Sequence, residues 1–97
     1  MEFPYPEEDD RKRIWQRIFP AKAPLAKDVD FGFLARQFKI TGGNIKNIAL
    51  GAAFLAADDG GKINIEHLIK ATKREYQKIG RLCTETDFAP YFDLVKG

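Results

Sequence analysis

Ile40-Thr41-Gly42-Gly43-Asn44-Ile45-Lys46-Asn47-Ile48-Ala49-Leu50-Gly51-Ala52-Ala53-Phe54-Leu55-Ala56-Ala57 decides how the rest of this chain must fold. It reads as a turn followed by a helix that opens on two glycines and continues for about four turns. Ile45, Ile48, Ala49, Ala52 and Ala56 recur at helical spacing on one face. Leu50, Ala53, Phe54 and Ala57 cover most of the remainder, so the helix is apolar nearly all round. Such a helix belongs in the middle of a bundle. Residues 42–58 are therefore expected to be the most buried element, and truncating Phe54 to alanine to cost about 3–5 kcal/mol. The glycines at its start expose free backbone N–H groups where a phosphate or flat base could be received. From local sequence alone, a tight turn between two packed helices is the stronger of the two readings.

Working outward from that helix, Asp30 is a good N-cap for a short helix over residues 31–38 that buries Phe31, Leu34, Ala35 and Phe38. Residues 20–29 form a loop anchored by Leu25 and Val29. Before it, Glu7, Glu8, Asp9 and Asp10 suit the positive end of a helix dipole. That first helix runs through residues 11–19 until Pro20 stops it. Ile14, Trp15 and Ile18 point inward, while Arg11, Lys12, Arg13, Gln16 and Arg17 face water. Phe3-Pro4-Tyr5-Pro6 is extended, since each proline disfavours the helical region for its predecessor.

On the other side, Gly60-Gly61 breaks the chain and Lys62-Ile63-Asn64 leaves room for only a few extended residues. Asn64 caps a last long helix whose apolar positions are Ile65, Leu68, Ile69, Thr72, Tyr76 and Ile79, with Gly80 ending it. The tail carries Phe88, Tyr91, Phe92, Leu94 and Val95, too greasy to be solvated, so it folds back or docks elsewhere. The fold class is all-α, a four-helix bundle with a C-terminal aromatic extension.

The 97 residues make one small domain with 44% hydrophobic and 31% charged residues, ordinary for a soluble globular protein. No apolar run approaches the roughly 18 residues of a membrane span. The N-terminus carries acids rather than a basic region and an apolar segment, so no secretory signal is expected. Cys83 stands alone, which argues against a disulfide framework and for a cytoplasmic location. Net charge of +2 is too small to indicate nucleic acid by itself.

No complete active site is visible. Gly42-Gly43-Asn44-Ile45-Lys46 lacks the spacing and final pair of a phosphate-binding loop. One histidine and one cysteine rule out the common nucleophile–base groupings, and His67 is expected in the first turn of the last helix, partly exposed. Asp58-Asp59-Gly60-Gly61 has the look of a calcium loop without its further ligands. No catalytic or metal-binding residue is assigned. Lys70, Lys73, Arg74, Lys78 and Arg81 form a basic stripe, which is either a solvated face or a contact for an acidic partner or nucleic acid.

The order of these features resembles the C-terminal helical lid subdomain of AAA+ ATPases. Phe3-Pro4-Tyr5-Pro6 is similar to the family's exit from its large nucleotide-binding subdomain, and residues 11–15 to its first lid helix. Asp28-Val29-Asp30-Phe31-Gly32-Phe33-Leu34-Ala35 matches the next segment. Thr41-Gly42-Gly43-Asn44-Ile45, running into Gly51-Ala52-Ala53, matches the start of its third helix, and residues 63–71 the closing helix. Five weak motifs in order cover residues 3–80.

The resemblance implies a division into a linker over residues 1–6, a lid bundle over 7–80 and an extension over 81–97. It also implies ATP or ADP as cofactor, with magnesium held by the large subdomain. Gly42 and Gly43 would face the nucleotide, Phe19 would lie near the base, and Asn44 and Lys46 occupy positions where many clades carry a sensor arginine. This chain resembles the clade whose helix opens G-A-D and uses no such arginine, with Gly43 in place of the alanine. The implied partners are the large subdomain and neighbouring protomers of a ring, a hexamer in the resembling family, with no membrane and no nucleic acid. By itself the chain is expected to hydrolyse no ATP. A free-standing nucleic-acid-binding or adaptor module is the alternative.

Overall fold

A computed structural model describes residues 6–19 and 23–95. Within these residues the chain forms helices α1 (Glu8–Ile18), α2 (Phe31–Gln37), α3 (Gly42–Ala57), α4 (Ile65–Lys78) and α5 (Glu85–Phe88), then a 3-10 turn over Phe92–Leu94. The expected all-α class is what the structure shows. Residues 1–5, 20–22 and 96–97 lie outside the described residues, and with them the expected extended stretch before Pro6 and the helix stop at Pro20.

Local chemistry accounts for the helix boundaries. Asp30 caps α2 by accepting from the Phe33 N–H. Thr41 and Asn64 each form a reciprocal capping box, with Asn44 and with His67 respectively, at the starts of α3 and α4. Gly60, Gly61 and Gly80 have φ near +80°, where a side chain would be strained. They end α3 and α4. The extended residues between α3 and α4 pair with the loop ahead of α2: Ile63 donates to the Pro24 carbonyl, and Ala26 donates to the Ile63 carbonyl, both at 2.8 Å. Asp28 reaches across to accept from the Ile65 N–H at 3.1 Å.

α3 packs most extensively on α4, α1 lies against α2 and α3, and the 3-10 turn closes on α4. Trp15, Leu34, Phe38, Ile45, Ile48, Leu68, Ile69, Tyr76 and Phe88 form the fully buried centre. The aromatic extension folds back. Phe88 meets Phe38 and Tyr76 at ring-centroid distances of 5.1 and 5.3 Å. Gln37 donates to the carbonyls of Thr86 and Asp87, and Arg81 to that of Lys39, which ties residues 81–88 to the segment leaving α2.

Four expectations need correction. Phe54 is not core: it is 77% exposed, Leu50 is 54% exposed, and Ala53 and Ala57 are exposed as well. Among the described residues α3 packs chiefly on α4 and α1, and the side that carries Leu50 and Phe54 stays exposed however apolar it is. Arg11 does not face water. It is buried, with Nε donating to the Ala35 carbonyl at 2.8 Å and an Nη to the Pro6 carbonyl at 2.6 Å. The Ala35 carbonyl belongs to the last turn of α2, where no intrahelical donor exists, so the guanidinium supplies one. His67 is buried rather than partly exposed, and Ile79 is exposed rather than inward.

Candidate functional site

The first turns of α3 face α1. Ile14 and Ile18, one turn apart on α1, are half-buried on this side. A Cβ placed on Gly42 would meet Ile14 Cδ1 at 3.6 Å, and one on Gly43 would meet only Thr41 Oγ1 at 3.8 Å. Both are ordinary contacts, and neither glycine has a positive φ. The turn is therefore made by the Thr41–Asn44 capping box and not by the glycines. That box uses the Asn44 N–H, which donates to Thr41 Oγ1 at 3.2 Å, while the Ile45 N–H donates to the Thr41 carbonyl. The N–H groups of Gly42 and Gly43 are left without an intrahelical acceptor.

Lys46 follows Gly42 and Gly43 by one turn on the same side of α3, with Ala49, Leu50 and Ala53 continuing that side. Together with Ile18, Phe19, Pro24 and Ile63 they line a groove of about 380 Å³ whose walls are overwhelmingly apolar. Alanines give the groove its depth on the α3 side. Phe19 closes the α1 side, its ring stacked on Phe31 with centroids 6.0 Å apart and planes 27° from parallel. The exposed Lys46 ammonium is the charged group among these lining residues. An apolar slot with one cation at its rim and two free N–H groups a turn away suits a flat heterocycle joined to an anion.

Of the five residues singled out from sequence, the structure thus brings Phe19 and Lys46 to one groove and sets Gly42 and Gly43 on the same side of α3. Asn44 is engaged elsewhere. Its Oδ1 accepts from the Thr41 N–H and hydroxyl, and its Nδ2 donates to Glu75 Oε2 at 2.9 Å. Sequence reading missed Ala49, Leu50, Ala53 and Ile63 as lining residues, taking them for bundle interior or connector. The available signal was the recurrence of Gly42, Ala49 and Ala53, small residues on the same side of the helix as Lys46.

The other candidates resolve into structural roles. His67 Nδ1 accepts from the Asn64 N–H at 3.1 Å, which places the ring proton on Nε2, donating to Asp59 at 2.8 Å. The ring thereby joins the start of α4 to the turn after α3. Burial raises the Cys83 thiol pKa, against a smaller opposing pull from the Lys73 ammonium, so the thiol is a poor nucleophile. Among the described residues no three His, Cys, Asp or Glu side chains group to hold a metal. No helix among them is long and apolar enough to cross a membrane. The basic stripe is broken up: Lys70 pairs with Glu66 at 3.1 Å, and the Arg81 guanidinium lies over the Tyr76 ring at 5.2 Å.

Neither family models nor curated proteins give a match to the chain.

Proposed function

We propose that this chain is the helical lid of an AAA+ ATPase, cytoplasmic, closing over ATP or ADP held by a large nucleotide-binding subdomain and passing the resulting motion to neighbouring protomers of a ring. The observation that carries the proposal is the placement of Phe19 and Lys46 in one apolar groove on the Gly42–Gly43 side of α3. Phe19 and Lys46 are two of the five positions that the family resemblance marks for nucleotide contact. The base lies against Phe19 and the alanines of α3, and Lys46 and the first-turn N–H groups face the phosphate side. A lid that touches nucleotide only when closed shifts the open–closed balance by the energy of that contact.

Gly43 supplies the test, because it is exposed and a Cβ there has room. In the parent ATPase, Gly43→Leu weakens ATP binding by about tenfold, ~1.4 kcal/mol, with the melting temperature of the bundle preserved. Gly43→Ala leaves affinity nearly unchanged and favours the helix. Affinity that is unaltered by leucine in the folded protein removes the nucleotide from this side of α3.

A further inference from the structure

The open side of α3 carries two exposed apolar residues one turn apart, Leu50 and Phe54. Across from them α4 presents Arg74 and Lys78, also one turn apart and both exposed. All four line a single hollow of about 280 Å³. Its floor is shallow because small residues let the two helices approach: a Cβ on Gly51 would lie 3.3 Å from the Cβ of Ala71. A second hollow of about 290 Å³ shares Arg74 and extends the surface past Lys73 to Leu55 and Leu94.

The charge on this face is one-sided. Glu75 is the acid that lines the first hollow, and its carboxylate is buried and accepts from the side-chain amides of Asn44 and Asn47. Among the described residues neither Arg74 nor Lys78 has a carboxylate partner. Lys70, beside the second hollow, pairs with the exposed Glu66, whereas none of the chain's exposed acids among the described residues lines either hollow.

We propose that this α3–α4 face binds an acidic amphipathic helix of a protein partner. An apolar ladder and a cationic ladder run side by side, each repeating once per helical turn. A helix with apolar residues at i and i+4 and carboxylates along the neighbouring row presents the complementary ladders at the same pitch, about 5.4 Å. Such helix-in-groove recognition uses apolar anchors for affinity and flanking charges for register. Nucleic acid fits less well, since a phosphate backbone pairs with the cations but gains nothing by covering Leu50 and Phe54. Leu50 is the ridge shared with the nucleotide-facing groove, whereas Phe54, Arg74 and Lys78 stand outside that groove, so the two proposals can fail separately.

The test titrates the whole chain with a synthetic peptide of about 18 residues, long enough for about five turns, with leucines at i, i+3, i+4 and i+7 and glutamates beside them. A scrambled peptide of the same composition and a short DNA duplex are the comparators. The striped peptide binds at least about tenfold more tightly than the scramble and shifts the amide resonances of Phe54, Arg74 and Lys78. Phe54→Ser and the double change Arg74→Glu, Lys78→Glu each weaken it by about tenfold or more without lowering the melting temperature. Equal affinity for striped and scrambled peptides, tighter binding of the duplex, or no resonance shift at about 1 mM peptide overturns the proposal.

Discussion

α3 and α4 are neighbours of similar length with opposite characters. α3 is apolar nearly all round and α4 is strongly amphipathic, yet α4 contributes the longer set of buried residues. Four of these are polar or ionisable besides their apolar partners: His67, Thr72, Glu75 and Tyr76. α3 leaves its two largest outer side chains, Leu50 and Phe54, in solvent. How much of a helix is buried is decided by how many neighbours surround it. Its own hydrophobicity decides only what is left exposed when neighbours are missing. The inner face of α4 is covered by α3 and by the aromatic extension with its 3-10 turn, and His67, Thr72 and Glu75 survive there because each finds a hydrogen-bond partner. Thr72 Oγ1 donates to the Leu68 carbonyl at 2.7 Å, and Glu75 accepts from two amides.

Substitutions along the two helices sharpen or break that contrast. The largest effect belongs to Tyr76→Ala on α4, which empties a fully buried site set edge-on to the rings of Phe38 and Phe88. A loss of about 3–5 kcal/mol in denaturant unfolding is expected.

Ionising the same residue is the next effect. Burial first of all raises the Tyr76 pKa from 10.0 to about 12, with the Arg81 charge opposing it. The folded state therefore holds the phenolic proton more tightly than the unfolded chain. Stability from this group is fully present below pH 10 and is lost as pH rises through about 12. Absorbance titration should show one tyrosine ionising late and together with alkaline unfolding; a Tyr76 that ionises near 10.0 while the fold persists contradicts the burial described here.

Glu75→Ala removes the acceptor shared by Asn44 and Asn47 and is expected to cost about 1–3 kcal/mol in the same assay. Glu75→Gln keeps one oxygen and should cost less. If alanine proves neutral, α4 tolerates its buried charge without depending on it.

The smallest effect is Phe54→Ala, within about 0.5 kcal/mol, because an exposed ring loses little on truncation. A value of several kcal/mol would restore α3 to the middle of the bundle and erase the contrast between the two helices.

Much of the fold was legible because local rules act locally. Asn64 and Asp30 cap the helices that their side chains predict, Gly60-Gly61 and Gly80 end α3 and α4, and the inward stripe Ile45, Ile48, Ala49, Ala52, Ala56 is buried as its spacing requires. What the sequence did not disclose depends on contacts made outside the periodicity of the helix concerned. Arg11 is buried because Ala35, 24 positions later, offers a bare carbonyl. His67 is buried because Asp59 and Asn64 claim both of its ring nitrogens. Phe54 is exposed because no described residue covers that side of α3, and no periodicity within α3 could reveal a missing neighbour. For the candidate site, spacing placed Lys46 near the glycines, but its meeting with Phe19 needed the α1–α3 packing. The second role of Asn44, bonded to Glu75 on α4, likewise appears only in three dimensions.

The Arg11 guanidinium has a mechanical consequence. It grips the carbonyl ahead of α1 and the carbonyl near the end of α2 at once, so Pro6 is tied to both helices. A pull on the chain at that point loads two helices in parallel rather than peeling the first turn of α1.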